Sequence, residues 1–221
     1  MALIGADISH HNGKNAVDTV MSKQKGTDFI MVKATEGKTY VDPMFDKNAA
    51  DVINNGLLLG IYHYARPENN SPSAEAANFL TQFRKFLGIA IPVIDWEDVA
   101  LKYSEDWALE WCDCVYESTG VRPMIYVQQS AIKSVGILAE HNYGLWVARW
   151  RDNYDGPGPV APWNTWAMWQ YTNSPFDKNL FNGSKAQFQK YCQVNKTVRP
   201  DDEVVNGGHT CGCSCCLEEG R

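Results

Sequence analysis

Over roughly the first 190 residues, short apolar runs bounded by turn residues alternate with amphipathic stretches, and this alternation constrains the fold most. The runs Leu3–Ser9, Phe29–Thr35, Leu57–Tyr64, Ile91–Trp96, Pro123–Val127, Leu145–Trp150 and Thr165–Tyr171 predict strands. Between them Val17–Lys25, Pro43–Asn54, Ser73–Leu87 and Ser104–Ser118 predict helices, with a shorter one near Ser130–Leu138. Gly56 and Gly120 stop two of these helices, and Ser73–Leu87 opens on a Ser N-cap with Glu75 in its first turn. The strands are apolar almost throughout, as those of a parallel sheet covered by helices must be. About eight strands in so short a length fit a compact β/α barrel better than a doubly wound sheet.

Several functions are argued against by what the chain lacks. Asp7-Ile8-Ser9-His10-His11-Asn12-Gly13 stands after the first strand, where a dinucleotide or phosphate loop would place its glycines. The net charge of -6 disfavours nucleic acid and anionic membrane as partners. No apolar run approaches the roughly 18 residues of a membrane helix. The first residues carry no basic segment before their apolar run, so no secretory signal is visible, and a soluble chain reaching its target by lysis or another export route is expected. Eight Trp and 12 % aromatic residues admit two readings, a large aromatic core or flat faces for sugar rings.

The strongest local signal is Ile91-Pro92-Val93-Ile94-Asp95-Trp96-Glu97-Asp98, an apolar strand ending in three carboxylates. Alternation puts Asp95 and Glu97 on one face, and Trp96 and Asp98 on the other. Strand C-termini form the active rim of a β/α barrel. Two carboxylates side by side there cannot both ionise cheaply, so one becomes an acid at neutral pH, as glycoside hydrolysis requires. The competing reading is a solvated strand end whose acids favour the next helix N-terminus. Asp7 reaches the same rim from the first strand, where its charge should be felt by Glu97. Tyr62, Tyr64, Tyr126, Trp146, Trp150 and Gln170 also end strands, a polar aromatic rim suited to sugars.

Taken together, Asp7-Ile8-Ser9, Lys33-Ala34-Thr35-Glu36-Gly37, Gly60-Ile61-Tyr62-His63-Tyr64-Ala65, Pro92–Glu97, Pro123-Met124-Ile125-Tyr126, Leu145–Trp150 and Met168-Trp169-Gln170-Tyr171 resemble glycoside hydrolase family 25, in family order. The resemblance implies an irregular β/α barrel of eight strands and fewer helices. It implies an N-acetylmuramidase that cleaves the β-1,4 bond from N-acetylmuramic acid to N-acetylglucosamine in bacterial cell-wall peptidoglycan. Residue by residue, Glu97 matches the general acid, Asp95 its partner and Asp7 the acid of the first strand. Asp177 in Phe176-Asp177-Lys178 fits the fourth acid, although Phe176 and Lys178 depart from the family pattern. Tyr62, Tyr64, Glu36, Tyr126, Trp146 and Gln170 are the candidate substrate-binding residues. No cofactor and no metal are expected, and the protein is expected to act as a monomer. The stereochemical course stays open between direct displacement, water attack and assistance by the substrate acetamido group, in which Asp95 would orient that group.

Other residues rate lower. Glu36 either bonds a sugar hydroxyl or pairs with Lys33 or Arg66. His10, His11 and His63 lack metal-ligand spacing and read as structural. Cys112 and Cys114 are two apart on a helix and cannot share a face. The catalytic domain is expected over residues 1–193. Residues 194–221 read as a flexible Cys-rich tail, because Arg199–Arg221 has almost no apolar pattern and crowds Cys211, Cys213, Cys215 and Cys216 without zinc-site spacing. The alternative to an enzyme is a catalytically weak barrel that only binds cell-wall glycans.

Overall fold

The computed structural model describes residues 2–151 and 155–195. It begins with β1 (Leu3–Ile8), α1 (Ala16–Lys23), β2 (Phe29–Glu36), the two-residue β3 (Tyr40–Val41), α2 (Phe45–Asn54) and β4 (Leu58–Tyr64). Then follow α3 (Pro72–Phe83), β5 (Ala90–Asp95), α4 (Glu105–Thr119), β6 (Met124–Gln128) and α5 (Ile137–Glu140). The described chain ends with β7 (Gly144–Ala148), β8 (Met168–Thr172), β9 (Lys178–Phe181) and α6 (Lys185–Tyr191). Because β1 pairs with both β2 and β9, eight strands close a ring in the order β1, β2, β4, β5, β6, β7, β8, β9. β3 lies outside the ring, paired only with the end of β2.

One feature of the expected barrel is corrected. The sheet is not all parallel: β9 runs antiparallel to both neighbours, β1 and β8. The link from Thr172 to Lys178 is too short for a crossover, so the chain can only turn back. α6 was also not anticipated, although Ser184 and Gln187 form a capping box at its start. Its Phe188 packs on Phe29 and Phe181, ring centroids 5.5 and 5.1 Å away, and plugs the barrel end opposite the strand C-termini. The N-cap of α3 is Ser71, whose Oγ accepts from the Ala74 N–H; Ser73 lies inside the helix. The proposed tail falls almost wholly in residues 196–221, outside the described residues. Asn195 still donates its N–H to the Gly120 carbonyl at 2.7 Å.

Strand alternation builds two cores. Outward side chains such as Ile30, Val32, Ile61, Ile94, Ile125 and Val147 pack under the helices. Inward ones, Leu3, Phe29, Met31, Ile91, Val93, Met124, Met168 and Phe181, fill the barrel. Going up the interior, apolar residues give way to polar ones within single strands: Leu3 to Asp7, Met31 to Lys33, Val93 to Asp95, Met168 to Gln170. The lower barrel is therefore a dry plug, and the mouth is a polar cleft.

Candidate active site

The cleft at the strand C-termini has a volume of about 470 Å³. All ten candidate residues line it: Asp7, Glu36, Tyr62, Tyr64, Asp95, Glu97, Tyr126, Trp146, Gln170 and Asp177. β1 delivers Asp7. β5 delivers Asp95 at its last residue, and extended backbone at Glu97 (φ -141°, ψ -178°) keeps that side chain on the same side. Asp177 arrives just before β9, and its carbonyl accepts the Asp7 N–H at 3.2 Å. Asp177 thus reaches the acids because β9 turns back along β1.

Asp98 departs from the expected alternation. Its φ of 51° is left-handed, which breaks the strand pattern and returns the side chain to the cleft. There it accepts the Tyr64 hydroxyl at 2.6 Å. A third acid therefore stands next to Asp95 and Glu97 instead of behind them.

The acids are electrostatically crowded. Burial, and then the neighbouring Asp177, push the Asp7 carboxyl up to about 7, against hydrogen bonds from Asn179 and Gln170. Asp95 is raised well above the ordinary carboxylate range by burial and by Glu97, with Lys33 opposing. Its Oδ1 is buried and has no hydrogen-bond partner among the described residues. Glu97 is raised by burial first, then by Asp98 and Asp177; Tyr126 and Lys33 pull the other way. Asp7 and Glu97 do feel each other's charge, as expected, but Asp98 and Asp177 weigh more on Glu97 than Asp7 does. Burial also raises Asp177.

Glu36 resolves toward pairing. Lys33 Nζ donates to Oε2 at 2.7 Å and Arg66 Nε to Oε1 at 2.7 Å. Burial opposes ionisation of Glu36, but these two cations outweigh it and hold its carboxyl below the usual value. Both cations also lie over the Tyr64 ring, 4.7 Å from its centroid. His63 faces outward from β4, away from the cleft. Its ring bonds Thr35 Oγ1 at 2.8 Å and Glu75 Oε2 at 2.7 Å, all three residues fully buried, so it is structural. Among the described residues, no group of three or more His, Cys, Asp or Glu is placed to hold a metal ion.

The sequence profile of glycosyl hydrolases family 25 matches residues 6–180, from within β1 to within β9. The chain belongs to glycosyl hydrolase family 25. This family 25 chain is 32 % identical over 175 residues to the protein YegX of Escherichia coli (strain K12), spanning 74 % of this chain and 62 % of YegX. It is 29 % identical over 209 residues to the N,O-diacetylmuramidase of Arthroderma benhamiae, covering 86 % of each. Among solved structures, the bacterial lysozyme from Streptomyces coelicolor superposes with a TM-score of 0.74 at 25 % identity, over 89 % of this chain and 99 % of that one.

Several lining residues of the family 25 cleft were not among the candidates: Ser9, His11, Lys33, Arg66, Asp98 and Trp150. Lys33 and Arg66 carried a sequence signal, since both read as possible partners of Glu36. Asp98 is visible as the third carboxylate of the β5 motif, but alternation places it on the wrong face, because its side depends on one backbone torsion. Asn179 was also not a candidate, yet it is fully buried and touches Asp7 (Nδ2 to Oδ2, 2.7 Å).

Proposed function

We propose that this chain is a peptidoglycan-degrading N-acetylmuramidase, hydrolysing the β-1,4 bond between N-acetylmuramic acid and N-acetylglucosamine with Glu97 as general acid and base. The observation that carries the reading is the pairing of two unlike acids at the end of β5. Glu97 is half-buried and its carboxyl is raised, which favours the protonated form in a side chain that still reaches the open cleft. Asp95 lies deeper and presents a buried oxygen without a partner. An acetamido N–H supplies the donor that oxygen needs.

In this reading Glu97 gives its proton to the glycosidic oxygen as the C1–O bond breaks. The acetamido carbonyl oxygen of the muramoyl sugar attacks C1, while Asp95 accepts the acetamido N–H and orients the group. Water then attacks C1, and the Glu97 carboxylate takes its proton, which restores both acids. Tyr62, Tyr126 and Trp146 wall the site with ring faces and polar edges that suit sugar rings. The bacterial cell wall is the corresponding place of action.

The test is digestion of purified peptidoglycan, with the new reducing ends identified after borohydride reduction. Reduced N-acetylmuramic acid is the expected product. Reduced N-acetylglucosamine would show that the opposite bond is cut, and binding without any new ends would favour the glycan-binding alternative.

A further inference from the structure

Asp7 accepts two side-chain hydrogen bonds, and both converge on one oxygen. Gln170 Nε2 donates to Asp7 Oδ2 at 2.9 Å and Asn179 Nδ2 donates to the same atom at 2.7 Å. The two amides face each other across the antiparallel pair, since Gln170 on β8 is in register with Asn179 on β9. Their orientation is forced. An indole N–H only donates, and Trp146 Nε1 points at Asn179 Oδ1 (2.9 Å), so the NH₂ of Asn179 must be the end that meets Asp7. Gln170 Oε1 likewise accepts from the Tyr126 hydroxyl at 3.1 Å and from Trp150 Nε1 at 3.2 Å. Four strands, β6, β7, β8 and β9, thus supply a chain of donors that ends on a single carboxylate oxygen carried by β1.

We propose that Asn179 is a positioning residue which, together with Gln170, clamps Asp7 through Oδ2, favouring its charged form and fixing its rotamer with the other oxygen turned to the reaction centre. For the reaction this rests on the muramidase reading above; the clamp itself does not. Amide donors favour the charged carboxylate. They oppose burial and the charge of Asp177, whose balance leaves Asp7 titrating near neutrality, at about 7. Losing one donor therefore tips Asp7 to its neutral form under working conditions. The other ionisable groups facing Asp7 are Glu97 and Asp95 from the β5 end, Lys33 on β2, Tyr62 on β4 and Tyr126 on β6. A fixed anion in that ring stabilises positive charge developing at C1.

The decisive variant is Asn179→Leu, which keeps the volume and removes the donor. The carboxyl ¹³C signal of Asp7, followed by NMR through a pH titration, is expected to move its midpoint up by about one pH unit or more. The acidic limb of the kcat profile should rise with it and KM should hold, with about tenfold loss at pH 6 that shrinks as pH rises. An unmoved Asp7 midpoint, or a loss equal at every pH, overturns the clamp and leaves Asn179 a packing residue. Should Asn179→Leu not fold, Gln170→Met removes the other donor to the same oxygen, and the same upward shift is expected; no shift overturns the proposal. A shifted midpoint in a protein that releases no reducing ends supports the clamp and counts against the muramidase reading.

Discussion

At Glu97 the competition is between a low-dielectric site beside two acids and the few groups that favour its charge. Burial, Asp98 and Asp177 win over Tyr126 and Lys33. Glu97→Gln keeps the shape and removes only the transferable proton, so lysis of peptidoglycan should fall at least about 100-fold with the melting temperature unchanged; retention of a tenth of the rate would take Glu97 out of the acid role. Asp98→Asn removes one of the like charges. It should lower the Glu97 pKa and move the alkaline limb of the pH–rate profile down by about half a unit. Asp7→Asn should move that limb less, because Asp7 is a weaker neighbour of Glu97. Asp95 makes a separate prediction. Its folded pKa lies well above its unfolded one, so stability is progressively lost as pH rises from the unfolded value towards the folded one. Asp95→Asn removes that cost, and should melt higher than the parent at pH 7 while losing activity. A lower melting temperature for the variant, measured by calorimetry at pH 7, would contradict the burial argument.

At the scale of elements, the interior layers of the barrel depend on glycines placed opposite large side chains. A Cβ on Gly5 would lie 2.4 Å from the ring of Phe29, its register partner on β2. Phe29 is fully buried and held by Phe188 of α6, so it has nowhere to go. Gly5→Ala should destabilise by roughly 1–3 kcal/mol, as overpacking does, and chemical denaturation with an unchanged m-value would show it. Gly60 has a similar neighbour, but there the close atoms belong to the flexible end of Met31 and can yield. The helices and parallel strands were legible because each has its own periodicity and stop signals, such as Gly120 in left-handed conformation at the end of α4. β9 was not legible as a strand. Its four residues are too few for alternation to register, and its direction comes from pairing with β1 and β8.

For the whole molecule, the two cores separate stability from chemistry: the outer one ties helices to strands, and the inner one carries the cleft on its upper layer. The last inner contributions come from α6, whose Phe188 and the adjoining Cys192 are buried. Deletion of residues 196–221 removes sequence with little apolar content and no barrel motif. The shortened protein is expected to keep its cooperative melt and its activity on peptidoglycan. Precipitation or a broadened transition would assign that segment a structural role.

What the sequence by itself determined was the order of the main strands and helices through β8, the barrel class, the family and the ten residues that meet in the cleft. The elements and the strand-end residues follow from local rules: the period of apolar residues, the turn residues that stop elements, and acids or aromatics at strand ends; the family and Asp177 follow from the resemblance of the motifs. The tertiary structure alone decided the antiparallel closure by β9, the return of Asp98 to the cleft, the pairing of Glu36 with Lys33 and Arg66, and the two amides on Asp7. These depend on how the folded chain places its groups: a left-handed torsion at Asp98, and for the rest, side chains or strands brought together by the closed ring. Asn179 and Asp7 are 172 residues apart, and no local pattern encodes a hydrogen bond that exists only once the ring is closed.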